Sequence, residues 1–83
     1  MEKRIIVGEN TRNNPHLSAE LVQTASKYQG SVYLVTDTKV INAKSLMGIF
    51  GLVFAPGSEI TIKVEETEGG EEILESMERL LIC

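Results

Sequence analysis

The sequence predicts an α+β fold, an open-faced β-sandwich in which a four-stranded antiparallel sheet carries three helices on one face. Segments with strand-like alternation and segments with helical periodicity follow one another in the order β-α-β-β-α-β-α. The predicted strands have one apolar face each, and this pattern favours helices on one side of the sheet and water on the other. With 83 residues, the chain is expected to form a single domain over residues 1–83.

Four segments have the residue pattern of strands: residues 3–7, 32–35, 40–42 and 58–64. The last is the clearest, because Ile60, Ile62 and Val64 alternate with polar residues, as in a half-buried strand. The two middle segments have the spacing of a hairpin.

The solvent-facing side of this sheet is expected to carry several apolar residues, among them Ile6, Tyr33 and Val35. Scattered apolar residues are common on protein surfaces and need no special explanation. A surface for self-association is the alternative, so the chain is expected to be a monomer or a weak homodimer.

Three segments have helical patterns: residues 15–28, 45–52 and 71–81. In the first, Leu17, Leu21 and Ala25 form an apolar stripe at a spacing of four residues. Gly30 is expected to end this helix in the left-handed conformation. The last segment places Glu71 and Glu72 in the first turn, where the helix dipole favours negative charge.

The start of the first helix contains the only histidine of the chain. Asn is a preferred N-cap residue and Pro is favoured directly after the cap, so Asn14 is the predicted cap and Pro15 the first helical residue. His16 then occupies the second helical position. Unpaired N–H groups and the positive end of the helix dipole meet there, which suits an anion. An ordinary solvent-facing histidine is the other interpretation.

Composition excludes several classes of function. The net charge of −4 argues against a general nucleic-acid-binding protein. No apolar run reaches the roughly 20 residues that a membrane-spanning helix needs. The single cysteine, Cys83, rules out an internal disulfide and a cysteine-built metal site. No metal cluster, nucleotide-binding loop or catalytic carboxylate pair stands out, so no cofactor is predicted, and a cytoplasmic protein is expected.

Three segments resemble the histidine-containing phosphocarrier family, HPr, of the bacterial phosphoenolpyruvate:sugar phosphotransferase system. Residues 21–28 (LVQTASKY) resemble the family's first helix, residues 42–49 (NAKSLMGI) its regulatory-serine motif, and residues 56–62 (PGSEITI) its last strand. The resemblance runs without gaps over nearly the whole chain. It implies the HPr fold and, as partners, enzyme I and the sugar-specific enzyme II components.

The chain departs from the family at its active-site signature, Gly-Leu-His-Ala-Arg-Pro-Ala. A gap-free pairing puts Asn14 on the phosphorylated histidine and His16 on the arginine. An amide nitrogen is conjugated with its carbonyl and is not nucleophilic, whereas a neutral imidazole nitrogen can accept and release a phosphoryl group. If the preceding loop rearranges, His16 can approach the usual position and Arg12 can replace the missing cation.

Ser45 is the second candidate site. It is expected to be the N-cap of the middle helix, and an ordinary cap is its simplest interpretation. The resemblance adds that a dedicated serine kinase phosphorylates this serine in many family members, which then bind a transcriptional regulator of carbon catabolism. The equivalents of Leu46 and Met47 contact these partners, and Phe50, Arg12 and Lys44 are expected to extend the docking surface.

A subgroup of the family, the Crh-like proteins, keeps this serine and lacks the histidine. Three hypotheses follow. The first is a Crh-like regulatory protein, itself not an enzyme, that is phosphorylated at Ser45. The second is a phosphocarrier that uses His16. The third is a degenerate HPr fold that binds partners without either phosphorylation.

Overall fold

The predicted strands are present: β1 (Glu2–Ile6), β2 (Val32–Val35), β3 (Val40–Asn42) and β4 (Glu59–Val64). They come from a computed structural model that describes residues 1–9, 16–50, 54–66 and 68–82. The strands form one antiparallel sheet in the order β1-β4-β2-β3. Along β4, Ile60, Ile62 and Val64 are buried and Lys63 is exposed, as the alternation predicts.

Three helices cover one face of the sheet: α1 (Leu17–Ser26), α2 (Leu46–Phe50) and α3 (Gly70–Ile82). Helix α3 packs against β1 and β4, α2 packs against β3, and α1 contacts both other helices. The buried side chains form one apolar cluster between the helices and the sheet. The predicted open-faced α+β sandwich is therefore confirmed.

The other face of the sheet is open and carries the expected apolar residues. Ile6 and Tyr33 are exposed, and Val35 is half-buried. Arg4 and Lys63, on the same face, lie near Glu59 and Glu2 at 3.9 and 3.7 Å. Charged and apolar side chains are thus interspersed, and self-association through this face stays a prediction.

Helix α1 is shorter than predicted at both ends. It begins at Leu17 with His16 as the N-cap, so the prediction of Asn14 as cap and Pro15 as first helical residue is wrong. The Asn-Pro pair is a local signal, whereas Leu17 is the first residue of the helix whose side chain reaches the core. Asn14, Pro15 and Arg12 themselves lie outside the described residues.

At its other end, α1 stops at Ser26 because the following N–H groups bond three residues back, from Lys27 to Thr24 and from Tyr28 to Ala25. This tightening ends the helix without a left-handed residue. The prediction for Gly30 is therefore wrong: in the part of the chain that the structure describes, only Gly57 and Gly69 have positive φ.

The chain that leads toward α1 is anchored by Gly8. Its N–H donates to the carbonyl of Leu81, one of the last carbonyls of α3, at 2.9 Å. A Cβ on Gly8 would overlap the backbone of Ile82. A residue without a side chain is required for the end of β1 to approach the end of α3 this closely.

Candidate functional site

Ser45 is the N-cap of α2, as predicted. Its Oγ accepts a hydrogen bond from the N–H of Gly48 at 3.2 Å, and its carbonyl accepts from the N–H of Ile49 at 3.0 Å. Cap side chains of this kind satisfy N–H groups that have no partner within the helix. The hydroxyl is therefore held at the start of α2, on a residue that is half-buried rather than buried.

Asn42, the last residue of β3, fixes the turn that carries Ser45. Its side-chain Oδ1 accepts from the N–H of Lys44 at 2.9 Å, and its carbonyl accepts from the N–H of Ser45 at 3.0 Å. An Asn side chain that bonds the backbone two residues ahead forms a compact turn. The position of Ser45 is thus set by backbone bonds on both sides.

Gly48 lets α2 lie close to the sheet. A Cβ at this position would be 3.1 Å from Cγ2 of Ile41 and 3.4 Å from Oγ of Ser45. Both distances are at or below the usual van der Waals contact distance. A larger residue at position 48 would therefore push α2 away from β3 or displace the Ser45 cap.

The outer side of α2 forms an apolar surface beside Ser45. Leu46, Met47 and Phe50 are 42%, 85% and 64% exposed, whereas Ile49 on the inner side is fully buried. We call Leu46, Met47 and Phe50 the α2 patch. Exposed methionine is typical of surfaces that adapt to a partner.

Lys44, which is expected to extend the docking surface, makes a hydrogen bond within the molecule. It is half-buried, and its ammonium donates to the carbonyl of Tyr28 at 2.6 Å. Tyr28 lies 16 residues earlier in the chain, just beyond α1, and no local motif indicates this bond. Sequence reasoning therefore missed the contact, and whether Lys44 also reaches a partner stays a prediction.

His16 lies at the mouth of α1 rather than at its second helical position. Its carbonyl accepts the first intrahelical bond, from the N–H of Glu20 at 2.9 Å, and its side chain is exposed. The imidazole makes no capping hydrogen bond, and the backbone angles, φ −102° and ψ 7°, are not those of a typical extended N-cap. The prediction that placed His16 at the second helical position is wrong.

A groove of about 670 Å³ lies elsewhere, between the end of α1 and α3. Tyr28 and Ile73 contribute to its lining, and Lys27, Arg79 and Glu72 provide charged groups. None of the candidate site residues that the structure describes lines it. His16 and the α2 patch are instead exposed at the surface.

Among the described residues, no group of three or more His, Cys, Asp or Glu side chains is placed to hold a metal ion. In the same ranges, no helix has the length and apolar character to cross a bilayer.

Comparison with known proteins places the chain in a family. The model of the family described as "PTS HPr component phosphorylation site" matches residues 2–82. The HPr-like protein Crh of Halalkalibacterium halodurans is 36% identical over 81 residues, which cover 98% of this chain and 92% of that protein.

Two solved structures have the same fold. The phosphocarrier protein HPr from Bacillus anthracis is 33% identical with a TM-score of 0.84, over 98% of this chain and 95% of that one. Crh of Bacillus subtilis, described as a dimer with a swapped domain, is 32% identical with a TM-score of 0.68, over 96% and 86% of the two chains.

Proposed function

We propose that this chain, which belongs to the HPr family of the phosphotransferase system, is a regulatory, Crh-like member that is phosphorylated at Ser45. The modified protein then docks on a transcriptional regulator in cytoplasmic carbon-catabolite control. One observation supports this most directly: the hydroxyl of Ser45, a half-buried residue, is held at the start of α2 beside the exposed α2 patch.

The start of α2 suits a phosphate. A serine kinase would transfer the γ-phosphoryl group of ATP to Oγ of Ser45, which loses its proton, and ADP leaves. The added oxygens can accept from the N–H groups of the first turn, and their negative charge is favoured at this end of a helix. The modification therefore requires no unfolding of α2 and changes mainly the surface charge.

The α2 patch provides the apolar part of the docking surface. Met47 is 85% exposed and makes no contribution to the core, so its side chain is available to a partner. The phosphate on Ser45 offers a partner a charged contact, which gives specificity. The α2 patch beside it offers an apolar contact. Binding energy in such interfaces is concentrated in a few residues.

Incubation with the matching serine kinase and ATP should add one phosphate, and mass spectrometry should place it on Ser45. Ser45→Ala should remain unmodified, whereas Ser31→Ala, at an exposed serine outside any helix, should be modified like the wild type. Equal labelling of Ser45→Ala would contradict the proposal.

Docking can be tested on the phosphorylated protein by titration with the regulator. Met47→Ala is expected to weaken binding by about tenfold, which is the effect of losing roughly 1.4 kcal/mol. Val40→Ala is a matched control, because Val40 is also an exposed apolar residue, at 67%, but lies on the open sheet face. An equal loss in both variants would contradict docking through α2.

A second function, phosphocarrier activity at His16, is supported by the position of His16. The imidazole belongs to the N-cap residue of α1 and is exposed. An exposed imidazole nitrogen is chemically able to take a phosphoryl group from enzyme I and pass it to a sugar-specific enzyme II component. Asn14, at the family's phosphorylated position, cannot do so.

Enzyme I and phosphoenolpyruvate provide the test of this second function. A carrier would acquire an acid-labile, alkali-stable phosphate that is lost in His16→Ala and kept in Asn14→Ala. Absence of the label in the wild type excludes the carrier. If the kinase assay is also negative, the chain is a binding module that uses the fold without either phosphorylation.

A further inference from the structure

Lys44 adds a positive charge to the end of α1 from another part of the chain. The last carbonyls of a helix lack partners and carry the negative end of its dipole, so a cation there is stabilising. The last turn of α1 has no basic residue of its own, and Lys27 follows it as the C-cap residue. Lys44, from the turn before α2, places its ammonium 2.6 Å from the carbonyl of Tyr28, just beyond the helix.

Lys44 is also the neighbour of Ser45 in the chain. The backbone of this turn is fixed, because Asn42 accepts hydrogen bonds from the N–H groups of both Lys44 and Ser45. A new charge on Ser45 can therefore move the Lys44 side chain without moving the turn. The flexible four-carbon stem of lysine allows that movement.

We propose that Lys44 responds inside the molecule to phosphorylation of Ser45, so that the ammonium leaves the Tyr28 carbonyl for the phosphate and the end of α1 loosens. This inference rests on the proposed phosphorylation. A phosphate dianion is a stronger acceptor for an ammonium than a neutral carbonyl is. The half-buried position of Lys44 reduces screening by water and salt.

Tyr28 extends the effect beyond α1. Its hydroxyl donates to the carbonyl of Glu65 at 2.6 Å, at the residue that follows β4. Glu65 is in turn bonded to Ser31 through its backbone N–H at 2.9 Å and its carboxylate at 2.8 Å. Tyr28 also lines the groove between α1 and α3. The end of α1 is thus connected to the start of α2 through Lys44 and to the end of β4 through Tyr28.

Amide hydrogen exchange measured by NMR tests the inference. Phosphoserine is built into position 45 during synthesis, so no kinase is needed. Exchange of the Lys27 and Tyr28 amides should become about five- to tenfold faster, the effect of losing one hydrogen bond of ordinary net strength. Lys44→Met should show this faster exchange without phosphate, and phosphoserine should then add nothing.

Two variants make the comparison specific. Lys44→Arg keeps a cation within reach of Tyr28 and should exchange like the wild type. Lys39→Met, at an exposed lysine of the β2–β3 turn, should leave both amides unchanged and should keep the full response to phosphoserine. Protection of the buried sheet amides of Leu34 and Ile62 verifies that each variant is folded.

Two results would overturn the inference. One is unchanged exchange of Lys27 and Tyr28 in Lys44→Met. The other is an equal response to phosphoserine with and without Lys44. Neither result depends on whether the kinase modifies Ser45. Failure of the kinase to modify Ser45 would likewise not change the exchange measurements, so the two proposals can fail separately.

Discussion

The starts of α1 and α2 are built in different ways. At α2 a side chain closes the first turn, through the bond from Gly48 to Ser45 Oγ. At α1 the cap residue is His16, whose side chain makes no capping bond. Helix α1 has ten residues and several buried side chains, so packing holds it. The described part of α2 has five residues, so it depends on its polar cap and on Ile49 as its buried apolar anchor. The cap bond thus holds the Ser45 hydroxyl in a fixed position at the start of α2.

The largest effect is expected at the anchor of α2. Ile49→Ala removes its fully buried side chain and should lower the free energy of unfolding by about 2–5 kcal/mol. Urea denaturation followed by circular dichroism measures this loss. Met47→Ala, on the exposed side of the same helix, should stay within about 0.5 kcal/mol of the wild type. Equal losses of unfolding free energy in the two variants would show that Ile49 is not the residue that holds α2 in place.

Gly8→Ala tests whether the close approach of the chain after β1 to the end of α3 limits the side chain at this position. The added Cβ overlaps the Ile82 backbone, and relief of that overlap should cost about 1–3 kcal/mol in the same denaturation assay. Glu9→Ala, at the exposed neighbour, is the control and should have little effect. Wild-type stability of Gly8→Ala would mean that the end of α3 does not constrain this approach.

Ser45→Ala removes the cap bond of α2 and should lower the free energy of unfolding by about 1 kcal/mol, within a range of roughly 0.5–2 kcal/mol. Ser45→Asn should recover most of the loss, since Asn caps helices as well as Ser does. If Asn and Ala behave alike, the hydroxyl of Ser45 does not stabilise α2, and the contrast with α1 disappears.

The smallest effect is expected at the mouth of α1. His16→Ala should change the free energy of unfolding by less than about 0.5 kcal/mol, because the imidazole makes no capping bond and is exposed. Unfolding curves of His16→Ala and Ser45→Ala, measured under the same conditions, compare the two helix starts directly. A loss at His16 as large as that at Ser45 would remove the distinction between the two helix starts.

Most of the fold was predictable because its signals are local and repeated. Alternation identified β4, and the apolar stripe identified α1 and the face it buries. The Ser45 cap was predictable for the same reason, since a capping serine lies directly before the helix that it serves.

Two features of the site depend on tertiary contacts that the sequence pattern does not signal. The Asn-Pro signal suggested an earlier start for α1, but the described helix begins where Leu17 enters the core. The bond from Lys44 to Tyr28 joins residues far apart in sequence and follows only from how the end of α1 and the turn before α2 pack. The role of Lys44 in docking stays a prediction.

The sheet order also determines when the fold can be completed. Strand β1 is made first during translation, yet its neighbour in the sheet is β4, the last strand to emerge. The pairing of β1 with β4 therefore cannot form until β4 has been made, and this long-range closure slows folding. During that interval the unpaired backbone of β1 can pair with a neighbouring molecule, so a low concentration of nascent chains favours the correct closure.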